Sequence, residues 1–185
     1  MKFLSILLAL ILNGCANHQL PNYDGNSSVL IIPKSNVNST IEAWASRFSL
    51  EITRTLNSDG AYESDEYNKT ISVSNDKNTY LLIDDLPNGK YYISGITRHL
   101  NSKWASRGVT NKTYTTTYIP FYLTKGKITI IDKLFSVSQN KGANGSLVYI
   151  NANFIELPKS DKESIINELM SDAKANNWDI YTHVY

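Results

Sequence analysis

The side chains that could do catalytic or metal chemistry are few and scattered in this sequence of 185 residues. The three histidines, His18, His99 and His183, stand far apart, and none lies beside another ligand at the spacing of a zinc site. The single cysteine excludes an intramolecular disulfide framework and any multi-cysteine zinc site. No nucleophile elbow and no phosphate-binding glycine loop occurs. The sequence therefore predicts no enzyme, no cofactor and no metal.

Carboxylates are concentrated in one polar stretch, where paired acids could act as a general acid and base. These residues are Asp59, Glu63, Asp65 and Glu66. Their order does not match a calcium-binding EF-hand loop. Hydrolysis of a glycosidic bond would need two carboxyl groups that face each other across a cleft. A solvated hairpin loop is the interpretation we favour, and a small hydrolase built on this acidic loop is an alternative.

The N-terminal residues have the composition of a secretory signal peptide. Lys2 gives a basic start, and residues 3–12 (FLSILLALIL) contain Ser5 as their one polar residue. The apolar run is too short for a membrane-spanning helix, which needs about 20 apolar residues. A buried N-terminal helix or strand is the alternative, but the basic flank favours a signal peptide.

Residues 12–15, Leu-Asn-Gly-Cys, resemble the lipobox of bacterial lipoproteins. In that family the cysteine thiol is alkylated by diacylglycerol, the peptide is cut before the cysteine, and the new amine is acylated. The resemblance implies that Cys15 is the lipid attachment site and carries three acyl chains, which anchor stably because two or more chains suffice. Ala16 replaces the aspartate that favours inner-membrane retention, which implies the outer membrane of a Gram-negative bacterium, on its periplasmic or surface face.

The remaining chain is predicted to be a short tether followed by one domain. Residues 17–28 (NHQLPNYDGNSS) are polar and rich in turn formers, which is the composition of a flexible tether. We therefore expect a signal peptide over 1–14, a lipidated tether over 15–27 and a single domain over 28–185. The near balance of 18 Lys+Arg against 17 Asp+Glu gives no support for nucleic-acid binding.

The pattern of the domain predicts a sandwich of short strands. Nine segments have apolar residues at period two or in short runs, separated by turn residues. They are 29–32, 48–53, 69–73, 79–83, 90–99, 113–123, 127–131, 134–138 and 147–156. The continuous run over 29–32 is typical of a strand buried on both faces.

One helix is predicted near 160–175. Ser160 and Glu163 have the spacing of a capping box, with Ser160 as N-cap. An apolar stripe follows, consisting of Ile165, Ile166, Leu169, Met170 and Ala173. The stripe predicts a helix that packs against the core.

The segment 86–93 (LPNGKYYI) resembles a turn and strand of transthyretin-like and carboxypeptidase-regulatory-like sandwiches, and of uncharacterised bacterial envelope lipoproteins with similar sandwiches. Pro87 presets the turn and Gly89 is expected to take a positive φ. The resemblance implies a mainly β fold, an antiparallel immunoglobulin- or transthyretin-like β-sandwich with one C-terminal helix. It covers only this segment and implies no active site.

Aromatic residues on the strand over 113–123 are the best candidates for a binding surface. Alternation places Tyr114, Tyr118 and Tyr122 on one face, opposite an aliphatic face that would point into the core. The polar loop over 100–112 adds Trp104 and Arg107.

Tyr, Trp and Arg dominate binding hot spots, so the candidate partner-binding residues are Trp104, Arg107, Tyr114 and Tyr118. Tyrosine is also a good strand former that pairs across sheets, and a structural role for the same rings is open. We expect a lipid-anchored envelope protein that is a non-catalytic binding or structural module for a protein or glycan partner. A transthyretin-like lipoprotein subunit of an envelope-spanning secretion machine is the alternative.

The Cys15→Ala variant should accumulate as unprocessed precursor, because the thiol that receives the lipid is missing. Mass spectrometry of the membrane fraction checks this expectation: the parent protein should lack residues 1–14 and carry lipid mass, whereas the variant should retain them. The His18→Ala variant is the control, since it leaves residues 12–15 intact and should be processed normally. An unchanged mature mass for Cys15→Ala would refute the anchor.

Overall fold

The computed structural model describes residues 19–35, 45–55, 68–73, 77–100, 112–141 and 148–183. Within these ranges the chain is mainly β, and all nine predicted strands are present. The elements in chain order are β1 (Val29–Pro33), β2 (Ala45–Thr55), β3 (Asn68–Val73), β4 (Tyr80–Ile83), β5 (Gly89–Leu100), β6 (Lys112–Leu123), β7 (Lys127–Ile131), β8 (Lys133–Lys141), β9 (Val148–Glu156), α1 (Lys159–Ser171), a 3₁₀ helix (Ala173–Asn177) and β10 (Asp179–His183).

The strands form two four-stranded sheets and a hairpin. The antiparallel sheet has the order β3-β2-β5-β6, and β8 pairs with β9 in the hairpin. The mixed sheet has the order β10-β7-β1-β4, in which β7 runs parallel to both β1 and β10. Parallel strands that are neighbours in a sheet need long crossover connections, and the strands of both parallel pairs are far apart in the chain. The expected antiparallel pairing therefore holds for one sheet and the hairpin, whereas the other sheet also contains parallel pairs.

The main core lies between the two sheets. Leu30 and Ile32 enter it from β1, and Leu50 and Ile93 enter it from the antiparallel sheet, each with 0% exposure. Phe135 of the hairpin closes one side and packs edge-on against the ring of Phe48. Each fully buried side chain of this size contributes about 1.5–3 kcal/mol, so this layer supplies much of the stability.

The opposite face of the mixed sheet forms a second core. Val29 and Ile31 of β1 point into it, and Ile165 and Leu169 of α1 cover them. The prediction that residues 29–32 are buried on both faces is confirmed. The domain therefore has three layers: α1, the mixed sheet and the antiparallel sheet.

The prediction of Ser160 as the N-cap of the helix is wrong. α1 begins two residues earlier than predicted, its N-cap is Pro158, and no side chain caps it. Pro158 has a φ of −59°, the value that its ring imposes and that suits the start of a helix. Ser160 consequently lies inside the first turn, where its hydroxyl contacts the carboxylate of Asp161 at 3.2 Å.

Two residues of the predicted apolar stripe are not buried, Ala173 because α1 ends earlier than predicted and Met170 because it is exposed within α1. Asp172 takes an extended conformation with a ψ of 125°, and its carboxylate accepts the backbone N–H of Lys174 to begin the 3₁₀ helix. Ala173 therefore lies beyond α1 and is exposed, and Met170 is 53% exposed at the edge of the packed face. The buried stripe is limited to Ile165 and Leu169, with Ile166 half-buried.

Residues 19–27, which we name the N-terminal strap, pack on the domain although their composition predicts a flexible tether. Leu20 is 1% exposed in the second core, and its N–H donates to the carboxylate of Asp172 at 3.1 Å. Tyr23 packs edge-on against Trp178, with ring centroids 5.2 Å apart. Asp24 accepts two backbone N–H groups in a tight turn, and these hydrogen bonds lower its pKa. The buried Leu20 thus fixes the strap to the domain, although the average composition of the strap is polar.

The turn that precedes β5 has the predicted geometry. Gly89 has a φ of +151°, which side chains rarely tolerate. The buried Tyr91 donates its hydroxyl to the carbonyl oxygen of Pro87 at 2.7 Å, and Arg54 donates to the carbonyl oxygen of Asn88 at 2.9 Å. These bonds fix the start of β5 and hence the pairing of β5 with β6.

The Leu20→Ala variant should lose stability, because it removes a buried side chain that fastens the N-terminal strap. We expect a loss of roughly 2–5 kcal/mol, which corresponds to a fall in Tm of roughly 5–15 °C for a chain of this length. Thermal unfolding followed by circular dichroism measures the change. Gln19→Ala is the matched control, since Gln19 is exposed; equal Tm values for the two variants would mean that the strap adds nothing to the folded unit.

Candidate functional site

The tyrosines of β6 lie on the outer face of the antiparallel sheet, as predicted. Tyr114, Tyr118 and Tyr122 are 51%, 70% and 45% exposed. The alternate residues point into the main core and are buried; they are Ile119, Phe121 and Leu123. Three large rings therefore follow one another along a strand whose other side is fixed by packing. We name Tyr92, Tyr114, Tyr118 and Tyr122 the tyrosine face.

Tyr118 is supported by a ring of the neighbouring strand. Its ring centroid lies 5.1 Å from that of Tyr92 on β5, with an interplanar angle of 39°. The pairing of β5 with β6 shifts register here, so that Thr117 and Tyr118 lie opposite Ser94. Such bulges bend and twist a strand and redirect its side chains. The most exposed ring of the face thus stands at an irregularity of the sheet.

Tyr114 lies flat on the sheet over Gly95. A methyl group at Gly95 would overlap the phenol oxygen and the adjoining ring carbons of Tyr114, so the ring takes up the space of the missing side chain. The hydroxyl of Tyr114 lies 3.4 Å from the carbonyl oxygen of Ser94, which accepts from it. One face of the ring rests on the backbone while half of the residue is exposed to solvent.

The surroundings of Tyr114 keep its phenol protonated. Partial burial raises the pKa of Tyr114 above its usual value, and the carboxylate of Glu51 raises it further by accepting a hydrogen bond and by its charge. Glu51 lies on β2 directly opposite Gly95. The group available at neutral pH is therefore an uncharged ring with a hydroxyl donor.

Polar side chains on the same face are bound to one another. Thr53 donates to Asn68 at 2.8 Å and lies 3.0 Å from the hydroxyl of Ser94. Ser49 and His99 are in hydrogen-bond contact at 3.2 Å, which resembles the pairing of a nucleophile with a base. Ser49 is only 4% exposed, so its hydroxyl is packed within the sheet rather than presented to a substrate.

Several predicted site residues lie outside the described residues. These are Cys15, Trp104, Arg107 and the acidic residues Asp59, Glu63, Asp65 and Glu66. Of the predicted partner-binding residues, the structure describes Tyr114 and Tyr118, and both are on the tyrosine face.

Sequence reasoning missed two residues that shape this face, Gly95 and Tyr92. A glycine inside a strand often marks a close approach of another group, and Gly95 had that signal. Tyr92 follows the buried Tyr91, so alternation along β5 directs it outward. The residues of β6 that each one contacts could not be predicted, because they depend on the register between β5 and β6.

A concave site separate from the tyrosine face lies between α1, the end of β1 and the start of β8. It is a cavity of about 280 Å³ with Lys34, Ser35, Asp161 and Ser164 among its lining residues. This volume is slightly below the roughly 300–1,000 Å³ of typical small-molecule sites. Among the described residues, no group of three or more His, Cys, Asp or Glu side chains could hold a metal ion.

In the described part of the chain, α1 and the 3₁₀ helix are both too short and too polar to span a bilayer. No protein family, no curated protein and no solved structure matches this chain.

The Gly95→Ala variant should turn the ring of Tyr114 away from the sheet, because the added methyl group takes the space that the ring occupies. The phenol then loses its burial and its contact with Glu51, so the pKa of Tyr114 should fall toward the ordinary value of about 10. Titration of the tyrosine resonances by NMR measures this change, with Tyr114→Phe to assign the signal. An unchanged titration in Gly95→Ala would show that the ring does not depend on the glycine.

Proposed function

We propose that this chain is a lipid-anchored protein of the bacterial cell envelope that acts as a non-catalytic binding or structural module for a protein or glycan partner. The observation that carries the proposal is the tyrosine face, with three exposed rings in sequence along β6. Tyrosine offers large contact area at low conformational cost and a polar tip for hydrogen bonds. Such rings on a rigid sheet are well suited to recognition.

The position of the rings supports a binding role. Seven large hydrophobic residues are exposed in the described part of the chain, and Tyr114, Tyr118 and Tyr122 are three of them. Scattered exposed residues are ordinary, but these three rings lie on one face of a single strand and can meet a partner together. β6 is held from below by Phe121, which has 0% exposure, so the surface is already organised before a partner binds.

The chemistry of the face supports a partner that is recognised by stacking and hydrogen bonds. Residues 113–123 contain no charged side chain. Lys90 of β5 borders the face, with its ammonium group 5.6 Å from the ring centroid of Tyr122. The rings and hydroxyl groups of β6 can therefore contact a partner by stacking and by hydrogen bonds.

The envelope location is supported by the resemblance of residues 12–15 to a lipobox, with Cys15 as the lipid attachment site. Trp104 and Arg107 precede β6 in the chain, and we propose them as further partner contacts. The lipid would hold the protein at the outer membrane while the tyrosine face binds. No catalytic residue is part of the proposal.

The Tyr118→Ala variant should weaken partner binding without unfolding the domain. Loss of a hot-spot ring costs about 2 kcal/mol or more, which is roughly a 30-fold increase in Kd. The stability should change by less than about 1 kcal/mol, because the residue is mostly exposed. Cosedimentation with purified peptidoglycan tests a glycan partner, and affinity capture from detergent-solubilised envelopes, with captured proteins identified by mass spectrometry, tests a protein partner.

Two controls separate a binding role from a structural one. Ile155→Ala changes an exposed apolar residue of β9, away from the face, and should leave binding unchanged. Phe121→Ala removes a fully buried ring and should cost roughly 3–5 kcal/mol of stability. If Tyr118→Ala lowers the Tm as much as Phe121→Ala does, the ring is structural and the proposal fails.

A further inference from the structure

The N-terminal strap leaves the domain on the side of α1. Leu20 is buried beneath α1 and the 3₁₀ helix, in the core that contains Leu169 and Trp178. Its N–H donates to Asp172, the residue that ends α1. The chain that continues toward residue 15 therefore starts at the C-terminal end of α1.

The segment between the proposed anchor and the domain is short. Cys15 and Leu20 are five residues apart, and a fully extended chain spans at most about 3.6 Å per residue, which gives about 18 Å here. This step rests on the proposed function, because it requires lipid on Cys15. Acyl chains on Cys15 would enter the bilayer no farther than this distance from Leu20.

The tyrosine face lies on the opposite side of the domain. α1 covers one face of the mixed sheet through Ile165 and Leu169, and the antiparallel sheet covers the other face. The tyrosines lie on the outer side of the antiparallel sheet. Packed layers are about 10 Å apart, so the tyrosine face is about 20 Å beyond the axis of α1.

We infer that the lipid bilayer lies against the helical layer near the C-terminal end of α1, and that the tyrosine face points away from the membrane. The helical layer then faces lipid, and the tyrosine face remains accessible to a partner. A longer tether would let the domain rotate, whereas a segment of this length restricts it to orientations that keep Leu20 near the membrane.

Charge does not produce this orientation. Residues 159–179 carry three lysines against five acidic residues, so the helical layer is not attracted to anionic lipid. The exposed Met170 adds an apolar side chain beside the point where the strap docks. The lipid on Cys15 and the short segment that follows it restrict the domain, and the orientation should therefore already be present on neutral membranes.

The orientation can be measured by quenching of fluorescent labels on the lipidated, full-length mature protein in phospholipid vesicles. The thiol of Cys15 is consumed by lipid, so a cysteine introduced by Met170→Cys or Thr116→Cys is the one thiol that reacts with the label. Both positions are exposed, Met170 on α1 and Thr116 on the tyrosine side. With nitroxide on the lipid headgroups, quenching at position 170 should exceed quenching at position 116 by at least about twofold, because the mixed sheet lies between α1 and the antiparallel sheet.

A lengthened chain provides the control. Insertion of 20 Gly and Ser residues after His18 gives an added root-mean-square reach of about 25 Å, so the domain can rotate. The difference between the two labels should then fall. A full difference that persists in the lengthened protein would overturn the short segment as its cause.

The remaining outcomes separate this inference from the proposed function. Vesicle flotation of the same samples reports the anchor itself. Protein that floats while both labels are quenched equally, or while position 116 is quenched more, overturns the orientation and leaves the anchor standing. Protein that does not float overturns the anchor, and the orientation with it.

Discussion

The burial of β1 on both faces is the constraint on which the rest of the structure depends. Four consecutive residues, Val29 to Ile32, have 0% exposure, and alternate ones point in opposite directions. A strand of this kind is stable only when both faces of its sheet are covered. The antiparallel sheet covers one face, and α1 with the N-terminal strap covers the other. Because separate elements cover the two faces, the domain presents two different outer surfaces.

The positions of the strands could be predicted from the sequence because the period of burial is visible in the residues themselves. Alternation over 113–123 placed Phe121 in the core and Tyr118 outside, and the structure agrees. Parallel pairing of β1 with β7 could not be predicted, since a period of two is the same for parallel and antiparallel strands. The burial of Leu20 could not be predicted either, because one buried residue does not change the average composition of a polar segment. At α1 the N-cap is Pro158, two positions before the Ser160 of the expected capping box.

The candidate site could be predicted in part for the same reason. The outward direction of Tyr114 and Tyr118 follows from the alternation within one strand. The contacts that support these two rings do not follow from it, because they come from β5. Gly95 makes room for the ring of Tyr114, and Tyr92 packs against the ring of Tyr118. Contacts between strands depend on register, and the register here includes a bulge opposite Ser94. The residue types of β6 indicated which side of the strand is exposed, whereas the pairing of β5 with β6 determined how the tyrosine rings are supported.

The bond between Leu20 and Asp172 joins residues 152 positions apart, and it has a consequence for the order of assembly. The N-terminal strap is synthesised early, but Leu20 can form this hydrogen bond only after Asp172 has been synthesised. Contacts between distant residues slow folding, because the intervening chain must first be closed into a loop. The fold of this domain can therefore be completed only after its C-terminal residues are available, because both ends of the chain contribute to the second core.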